Sequence, residues 1–235
     1  MSIENNKITI SSQDVNDFKK VFCDENGLIK EILKKYFLNY FSGRVLDVGG
    51  GMADILAEVI PDSEVIHLDV LDFSKNEIPK MHSRVLGDFL DYKKLKSLLP
   101  LDVLFMSHVQ QFIDSDIDKL KDAIKTANTE TIILVEDLNN DFLGEIMRFS
   151  LEKIKNSNPE IKIKDFPFGY NKVDSKEFTA NLIASNFFDL AKQCLYLMDS
   201  EVSEENLIKM QNFLESRLSK PSFTINQEVA VYKKN

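Results

Sequence analysis

The sequence has few cysteines, no long apolar run and no apolar core in its opening residues. Its two cysteines, Cys23 and Cys194, lie far apart and form no metal-ligand spacing, which predicts ordinary buried thiols in a reducing compartment and no metal site. No stretch approaches the roughly 20 apolar residues that a membrane span requires. The opening "MSIENNKITISSQD" lacks the basic start and apolar core of a signal peptide. We therefore expect a soluble, cytoplasmic protein without a membrane partner.

Basic residues are also scarce, with 29 lysines and arginines against 38 acids and a net charge of −9. An overall negative field repels nucleic acid unless a local basic patch reverses it. The densest lysine segment, "YKKLKSLL" at 92–99, fits the solvated side of a helix. The motifs with which enzymes methylate bases in nucleic acids, an Asn/Asp-Pro-Pro-aromatic tetrad or a Pro-Cys pair, are missing. The composition favours neutral or cationic small molecules as partners and disfavours nucleic acid.

From residue 44 onward, apolar strand-like runs alternate with amphipathic helical stretches, the pattern of an open α/β sheet. The pattern predicts five parallel strands at 44–48, 64–69, 83–87, 103–107 and 131–136, with helices at 52–60, 92–99, 116–127 and 141–156. After residue 157 it predicts a helix at 175–185, a strand at 191–199, a helix at 203–218 and a last strand at 227–234. The two late strands are expected to pair antiparallel at a sheet edge.

The segment before the first strand has helical periodicity, and no repeat or low-complexity linker divides the chain. We expect one domain over 1–235, in which 1–42 is a helical cap, 43–140 the cofactor-binding half and 141–235 the substrate side.

Three consecutive glycines follow the first predicted strand in "VLDVGGGMADI". A phosphate-binding P-loop would need Gly-Lys-Ser/Thr, and Met52 and Ala53 stand there instead. A dinucleotide fingerprint beginning at Gly49 would place its last glycine at Asp54, where a carboxylate faces pyrophosphate badly. In the S-adenosylmethionine loop, Asp/Glu-x-Gly-x-Gly-x-Gly, Asp47, Gly49 and Gly51 match and Ala53 replaces the last glycine.

Two acids end the next two predicted strands. Asp69, 22 residues after Asp47, suits the ribose hydroxyls of either an adenosyl or a nicotinamide cofactor. Asp88 and Phe89 suit an adenine amino group and its ring, an arrangement typical of S-adenosylmethionine enzymes. The alternative for Asp88 is a helix N-cap.

Together these motifs resemble those of class I S-adenosylmethionine-dependent methyltransferases over about residues 44–136. The resemblance implies a Rossmann-like, seven-stranded, mostly parallel α/β sheet with an antiparallel last strand and helices on both faces. The glycine turn and "MSHVQQFID" are most similar to histamine N-methyltransferase-like, small-molecule members. In their pattern Val109 touches the cofactor through its backbone, while Gln110 and Asn226 contact the substrate. Ile113 and Asp114 depart from that pattern, because the paired aromatics expected there are missing.

The predicted site follows from these motifs and this resemblance. Gln110 and His108 are the catalytic candidates, with His108 either removing a proton from a phenol or thiol acceptor or packing as a hydrogen-bonded side chain. Tyr170 either lines the acceptor pocket or covers the sheet. Glu136 either lines the acceptor pocket or belongs to a helix cap. The cofactor-binding prediction is Asp47, Gly49, Gly50, Gly51, Asp69, Val70, Asp88, Phe89, Ser107 and Val109, and the substrate-binding prediction is Gln110, Glu136, Tyr170 and Asn226.

The leading hypothesis is in-line methyl transfer from S-adenosylmethionine to a small molecule, with an amine nitrogen as acceptor. Two alternatives stay open. An NAD-dependent oxidoreductase would use the same glycines and Asp69 but lacks a Tyr-x-x-x-Lys or comparable hydride-transfer set. A non-catalytic S-adenosylmethionine-binding partner protein would account for Ala53 and for the missing aromatic pair.

Overall fold

A seven-stranded mixed sheet organises the chain in a computed structural model that describes residues 23–73, 77–108, 117–138, 142–154, 168–198 and 202–235. The strand order is β3-β2-β1-β4-β5-β7-β6. The strands are β1 Val45–Val48, β2 Val65–Asp69, β3 His82–Leu86, β4 Val103–Ser107, β5 Thr131–Asp137, β6 Tyr170–Ile183 and β7 Ser222–Lys234. Strands β1 to β5 are parallel, whereas β7 runs antiparallel to both of its neighbours. The predicted fold class is confirmed.

The first five strands lie within a residue of their predicted positions. Every residue of β1 is buried, as are the first four of β2 and of β4. Burial on both sides explains why these strands appear in the sequence as continuous apolar runs rather than as alternating patterns.

The helices are α1 Cys23–Ile32, α2 Leu56–Val59, α3 Tyr92–Ser97, α4 Ile117–Ala127, α5 Phe142–Phe149, α6 Phe187–Leu197 and α7 Glu204–Arg217. Side-chain caps start three of them. Asp91 accepts from the amides of Lys93 and Lys94 ahead of α3, and Asn186 and Ser203 cap α6 and α7 in the same way. Each cap satisfies amide groups that the first helical turn leaves without partners.

Two predicted helices differ from the helices that the structure describes. The helix expected at 52–60 is reduced to Leu56–Val59, because Ala53 takes a positive φ of 65° that a right-handed helix excludes. The helix expected at 141–156 is described as α5 followed by a π-helical turn at Ser150–Ile154.

The prediction for 175–199 is wrong in type. Residues 175–185, expected to be helical, lie mostly in β6, where Ala180 and Leu182 point into the core and Asn181 between them is exposed. Residues 191–199, expected to be a strand, lie largely in α6, whose buried Leu190, Cys194 and Leu197 repeat with helical spacing. Two late strands do pair antiparallel at the sheet edge, but they are β6 and β7, with α6 and α7 between them, so the predicted partner of the last strand is wrong.

Helices α3 and α4 pack on one face of the sheet, and α1 and α2 pack on the other. Strands β6 and β7 continue past the end of β5, where they form a third core with α5, α6 and α7. Because β1 to β5 are parallel, their carboxyl ends lie along one edge of the sheet. Among the described helices, none is both long and apolar enough to cross a lipid bilayer.

Candidate cofactor and acceptor site

The three glycines after β1 are required for two different physical reasons. Gly49 and Gly51 have φ values of 68° and 48°, in the left-handed region that a Cβ atom disfavours. Gly50 has no such requirement, but a Cβ placed on it would lie 2.8 Å from Asp47 Oδ2 and 3.0 Å from the His67 ring. A Cβ on Gly51 would meet only the Gly49 carbonyl, at 3.8 Å. The turn is thus packed beneath Gly50 and open beside Gly51.

Ala53 stands where the motif has its last glycine, and its backbone shows why the motif prefers glycine at that position. Its φ of 65° keeps the glycine-like conformation although the side chain carries a methyl group, which is buried. Arg84 on β3 holds this part of the turn by donating to the carbonyls of Gly51 at 2.5 Å and Met52 at 3.0 Å.

Asp69 lies at the carboxyl end of β2, directly beside the glycine turn. Its Oδ2 accepts from the Gly51 amide at 2.9 Å and its Oδ1 accepts from the Leu71 amide at 2.8 Å. A carboxylate oxygen has a second lone pair, so each oxygen retains an acceptor position. The next residue, Val70, is 65% exposed. The predicted pair of the glycine turn and the β2 acid is therefore in contact.

Behind the turn runs a buried chain of hydrogen bonds from Asp47 through His67 and His82 to the carbonyl of Ile60. His82 Nε2 lies 3.1 Å from that carbonyl, which can only accept, so this nitrogen carries a proton. Burial lowers the pKa of His82 and keeps it neutral, so its Nδ1 accepts from His67 Nε2 at 2.9 Å. One proton then remains between His67 Nδ1 and Asp47 Oδ2, 2.7 Å apart.

Burial raises the pKa of Asp47, against the hydrogen bond from His67, which lowers it. Asp47 is 4% exposed and its carboxylate contacts His67 behind the turn. The acid that begins the motif therefore supports the glycine turn from below.

Asp88 follows β3, is exposed, and accepts from the Leu90 amide at 2.9 Å. The alternative that Asp88 caps the next helix is wrong, because Asp91 is the residue that caps α3. Phe89 is 4% exposed and belongs to the core on that face.

Beyond β4 and β5, side chains from four elements come together. His108, which follows Ser107 and has a φ of 53°, places its Nε2 3.2 Å from Glu25 Oε1 and its Nδ1 3.9 Å from Asp137 Oδ1. Gln227 Nε2 donates to both carboxylates, to Asp137 at 2.8 Å and to Glu25 at shorter range. We call Glu25, His108, Asp137 and Gln227 the edge cluster.

The neighbouring carboxylates determine the charge of His108. Burial lowers the pKa of His108, but the carboxylates of Glu25 and Asp137 outweigh burial and raise it to about 9. At neutral pH the imidazole is therefore protonated. An imidazolium has no free lone pair with which to remove a proton from an acceptor.

Glu136 precedes Asp137 in β5 and lies on the opposite face of the sheet from it. It lies opposite Glu228 in the β5–β7 register, and Lys172 pairs with Glu228 at 2.6 Å. Burial and the Glu228 charge raise the pKa of Glu136. Asn226, expected just before the last strand, lies inside β7, where its Oδ1 accepts from Thr179 Oγ1 at 3.0 Å.

One predicted substrate residue lies away from the others. Tyr170 begins β6 opposite Lys234, at the end of the sheet where β5 starts, and its hydroxyl donates to the Thr129 carbonyl at 2.7 Å. The antiparallel direction of β7 and the true position of β6 place it there, so its expected role in the acceptor pocket is wrong. Val109 and Gln110 lie outside the described residues.

The site residues predicted from the sequence include neither Gln227 nor Glu25. Both are polar residues in apolar surroundings, since Gln227 interrupts the run "INQEVAVY" and Glu25 is 4% exposed on a helix. A buried polar residue needs partners, which is a signal that the sequence does contain. The sequence does not show which residues those partners are, because Glu25 and Gln227 are 202 residues apart.

Several solved structures share the fold at low sequence identity. A cyclopropane-fatty-acyl-phospholipid synthase-like protein from Lactobacillus casei matches with a TM-score of 0.56 and 10% identity, covering 92% of each chain. An S-adenosylmethionine-dependent methyltransferase from Archaeoglobus fulgidus matches at 0.51 and 20%, covering 92% of this chain and 98% of its own.

A third match is phosphoethanolamine N-methyltransferase 2 from Haemonchus contortus, in complex with phosphomonomethylethanolamine and S-adenosylhomocysteine. It aligns at a TM-score of 0.50 and 14% identity, covering 97% of this chain and 58% of its own. No family model and no curated protein matches the sequence. The chain therefore has the fold of class I methyltransferases, and the comparisons do not favour a histamine N-methyltransferase-like subtype.

Proposed function

We propose that the protein transfers a methyl group from S-adenosylmethionine to a small molecule and that the acceptor atom is an amine nitrogen. The observation that carries this proposal is the contact between the glycine turn and Asp69 at the carboxyl ends of β1 and β2. Ligands of open α/β sheets bind at that edge. The methyltransferase fold of the sheet adds support.

The space and the hydrogen-bond acceptors at the glycine turn support a cofactor site there. The opening beside Gly51 accommodates the close approach of a ligand, and the remaining lone pairs of Asp69 are placed for two ribose hydroxyls. Asp88 is exposed at the end of the third strand and is assigned to the adenine amino group. When bound, S-adenosylmethionine supplies an electrophilic methyl group on a sulfonium.

A dinucleotide fits the turn less well. The last position of its fingerprint is Asp54, whose carboxylate accepts from Asn26 Nδ2 at 3.0 Å. A carboxylate held there repels a pyrophosphate, whereas a sulfonium cofactor places no phosphate at the turn. This argues against the nicotinamide alternative.

The acidic edge of the sheet supports an amine acceptor. Methyl transfer is a displacement that puts positive charge on the acceptor, so the chain needs to orient the acceptor and stabilise that charge rather than supply a nucleophile. Glu136 is half-buried at the end of β5, and Asn226 offers an amide on the same edge. We assign Glu136 and Asn226 to orienting the amine. His108, protonated at neutral pH, is assigned no base role.

Calorimetric titration tests the cofactor assignment. S-adenosylmethionine, S-adenosylhomocysteine and NAD are titrated into the full chain, its Asp69→Asn variant, and Asp62→Asn as an exposed matched control. We expect micromolar binding of the first two ligands, a loss of tenfold or more in Asp69→Asn and no change in Asp62→Asn. Binding of NAD alone would overturn the cofactor assignment.

Transfer of a labelled methyl group to a panel of small amines, phenols and thiols tests the acceptor. We expect labelled amines, with the rate reduced in Glu136→Gln. Labelling confined to phenols or thiols contradicts the acceptor assignment alone. Tight cofactor binding without transfer to any acceptor would instead identify a non-catalytic binding protein.

A further inference from the structure

The edge cluster brings three potential metal ligands to one place. One carboxylate oxygen of Glu25, one of Asp137 and one ring nitrogen of His108 all lie within 4.8 Å of one another. They come from α1, from the end of β5 and from the residue that follows β4. Asp137 pairs with Gln227 in the β5–β7 register, and the His108 amide donates to the Val135 carbonyl at 3.1 Å, so the sheet fixes three of the four backbones.

Gln227 provides an independent sign of a ligand. It is 0% exposed, and its Oε1 is buried with no hydrogen-bond partner, whereas its Nε2 donates to Glu25 and Asp137. A buried amide oxygen without a partner is destabilising, because it has lost its hydrogen bonds to water and gained none in the protein. The amide head lies between the two carboxylates, so a half-turn about its last bond exchanges the two ends and directs the oxygen into the cluster.

We propose that Glu25, His108, Asp137 and Gln227 bind one divalent transition-metal ion. Two carboxylate oxygens, one imidazole nitrogen and one amide oxygen form a mixed nitrogen and oxygen set, which suits Mn²⁺ or Zn²⁺ better than a purely oxygen-preferring ion. In the arrangement without a cation, the Gln227 amide donates to both carboxylates. When the cation binds, it displaces the proton of the His108 imidazolium, which is released to solvent, so that the neutral ring nitrogen can ligate. The amide turns and its oxygen becomes the fourth ligand.

The burial of the cluster separates a metal site from an ordinary group of surface acids. The side chains of Glu25 and Asp137 are 6% and 13% exposed, and that of His108 is 21% exposed. Buried charges are costly unless they are paired or coordinate a metal. The remaining exposure at His108 is the side from which an ion enters. The proposal departs from the sequence-based expectation of no metal site, which considered only spacing along the chain.

The inference goes beyond the proposed function, because it requires neither S-adenosylmethionine nor an amine acceptor. The ion would lie at the end of β4 and β5, on the opposite face of the sheet from Glu136. It would therefore lie across the sheet from Glu136 and would not occupy the place proposed for the acceptor.

Calorimetry of the full chain, after treatment with a chelator and without cofactor, tests the site. Mn²⁺ and Zn²⁺ are titrated separately into the wild type, Asp137→Asn, Gln227→Glu and Glu58→Gln. Glu58 is an exposed carboxylate that pairs with Lys30 and Lys34 rather than with the edge cluster, and it serves as the matched control. Circular dichroism and thermal melting establish that each variant is folded.

We expect one ion per chain in the wild type, at least tenfold weaker binding in Asp137→Asn and unchanged binding in Glu58→Gln. Gln227→Glu is the decisive variant. A third carboxylate strengthens a metal site, so affinity should rise at least threefold. If the cluster is only a hydrogen-bonded network, the same variant loses its bridging donor and gains no affinity.

Electron paramagnetic resonance of bound Mn²⁺ gives a readout that does not depend on affinity. Nitrogen hyperfine coupling is expected in the wild type and in Glu58→Gln, and its absence in folded His108→Gln would assign the nitrogen to His108. No saturable heat with either ion in folded wild type, or equal affinity in wild type and Asp137→Asn, would overturn the proposal. Metal binding that persists while S-adenosylmethionine fails to bind would overturn only the proposed function.

Discussion

His67 and His82, on adjacent parallel strands, are joined by a buried hydrogen bond of 2.9 Å whose direction is determined by the Ile60 carbonyl. Because that carbonyl requires a proton on His82 Nε2, His82 Nδ1 must accept. The bond therefore exists only while His82 is neutral. Protonation of His82 would place a second donor against His67 and break the chain of contacts that supports Asp47 beneath the glycine turn.

The pH dependence of stability should show this requirement. Burial lowers the pKa of His82 below its usual 6.5, so the unfolded chain binds more protons in that range and stability falls as pH decreases below about 6.5. In His82→Gln this loss disappears. The difference in free energy of unfolding between wild type and variant, measured in urea, should shrink from pH 7.5 to pH 5. A constant difference over that interval would show that His82 is not held neutral. Burial raises the pKa of Asp47, which acts in the opposite direction at lower pH and is common to both proteins.

Ala53→Gly should leave stability unchanged or raise it by up to about 1 kcal/mol. The left-handed backbone at Ala53 costs an L-residue about 1–2 kcal/mol, and this exceeds the roughly 0.8 kcal/mol gained by burying its methyl group. Ala57→Gly, in α2, is the matched control and should cost about 1 kcal/mol. Chemical denaturation measures both. Equal losses in the two variants would argue against backbone strain at Ala53.

Gly50→Ala should disturb the turn, whereas Gly27→Ala should not. The added Cβ at Gly50 meets Asp47 Oδ2 at 2.8 Å and the His67 ring at 3.0 Å, but at Gly27, in α1, it meets nothing within 4 Å. We expect Gly50→Ala to lower stability by about 1–3 kcal/mol through overpacking and to weaken S-adenosylmethionine binding. Gly27→Ala should stabilise α1 by about 0.5–1 kcal/mol. Thermal melting with and without cofactor tests both, and a neutral Gly50→Ala would contradict the packing argument.

Asp88 and Asp91 should respond differently to the same substitution. Asp91→Ala removes the cap of α3 and should cost about 1 kcal/mol of stability with little effect on cofactor affinity. Asp88→Ala should leave stability within about 0.5 kcal/mol and weaken S-adenosylmethionine binding at least tenfold. Calorimetry and urea denaturation of each variant separate the two roles. Unchanged affinity in Asp88→Ala would remove Asp88 from the proposed adenine site.

Local sequence pattern was sufficient for β1 to β5 and for the glycine turn. Strands buried on both sides appear as short apolar runs, and the triple glycine with Asp47 and Asp69 marks the turn and its acid without any knowledge of distant contacts. Local sequence pattern did not determine the secondary structure of residues 175–199. The apolar residues of this segment satisfy both a helical and an alternating spacing over short windows, and only pairing with β7 selects a strand for the first part and leaves a helix for the second.

The edge cluster was decided by tertiary structure alone. Glu25 and Gln227, 202 residues apart, meet because α1 packs on one face of the sheet and β7 inserts antiparallel beside β5. That same reversal places Tyr170 at the far end of the sheet from the site. Sequence patterning specifies which residues are buried and which turn tightly, since these depend on near neighbours. Strand order and direction determine which polar groups share one edge, because that depends on contacts between residues distant in the chain.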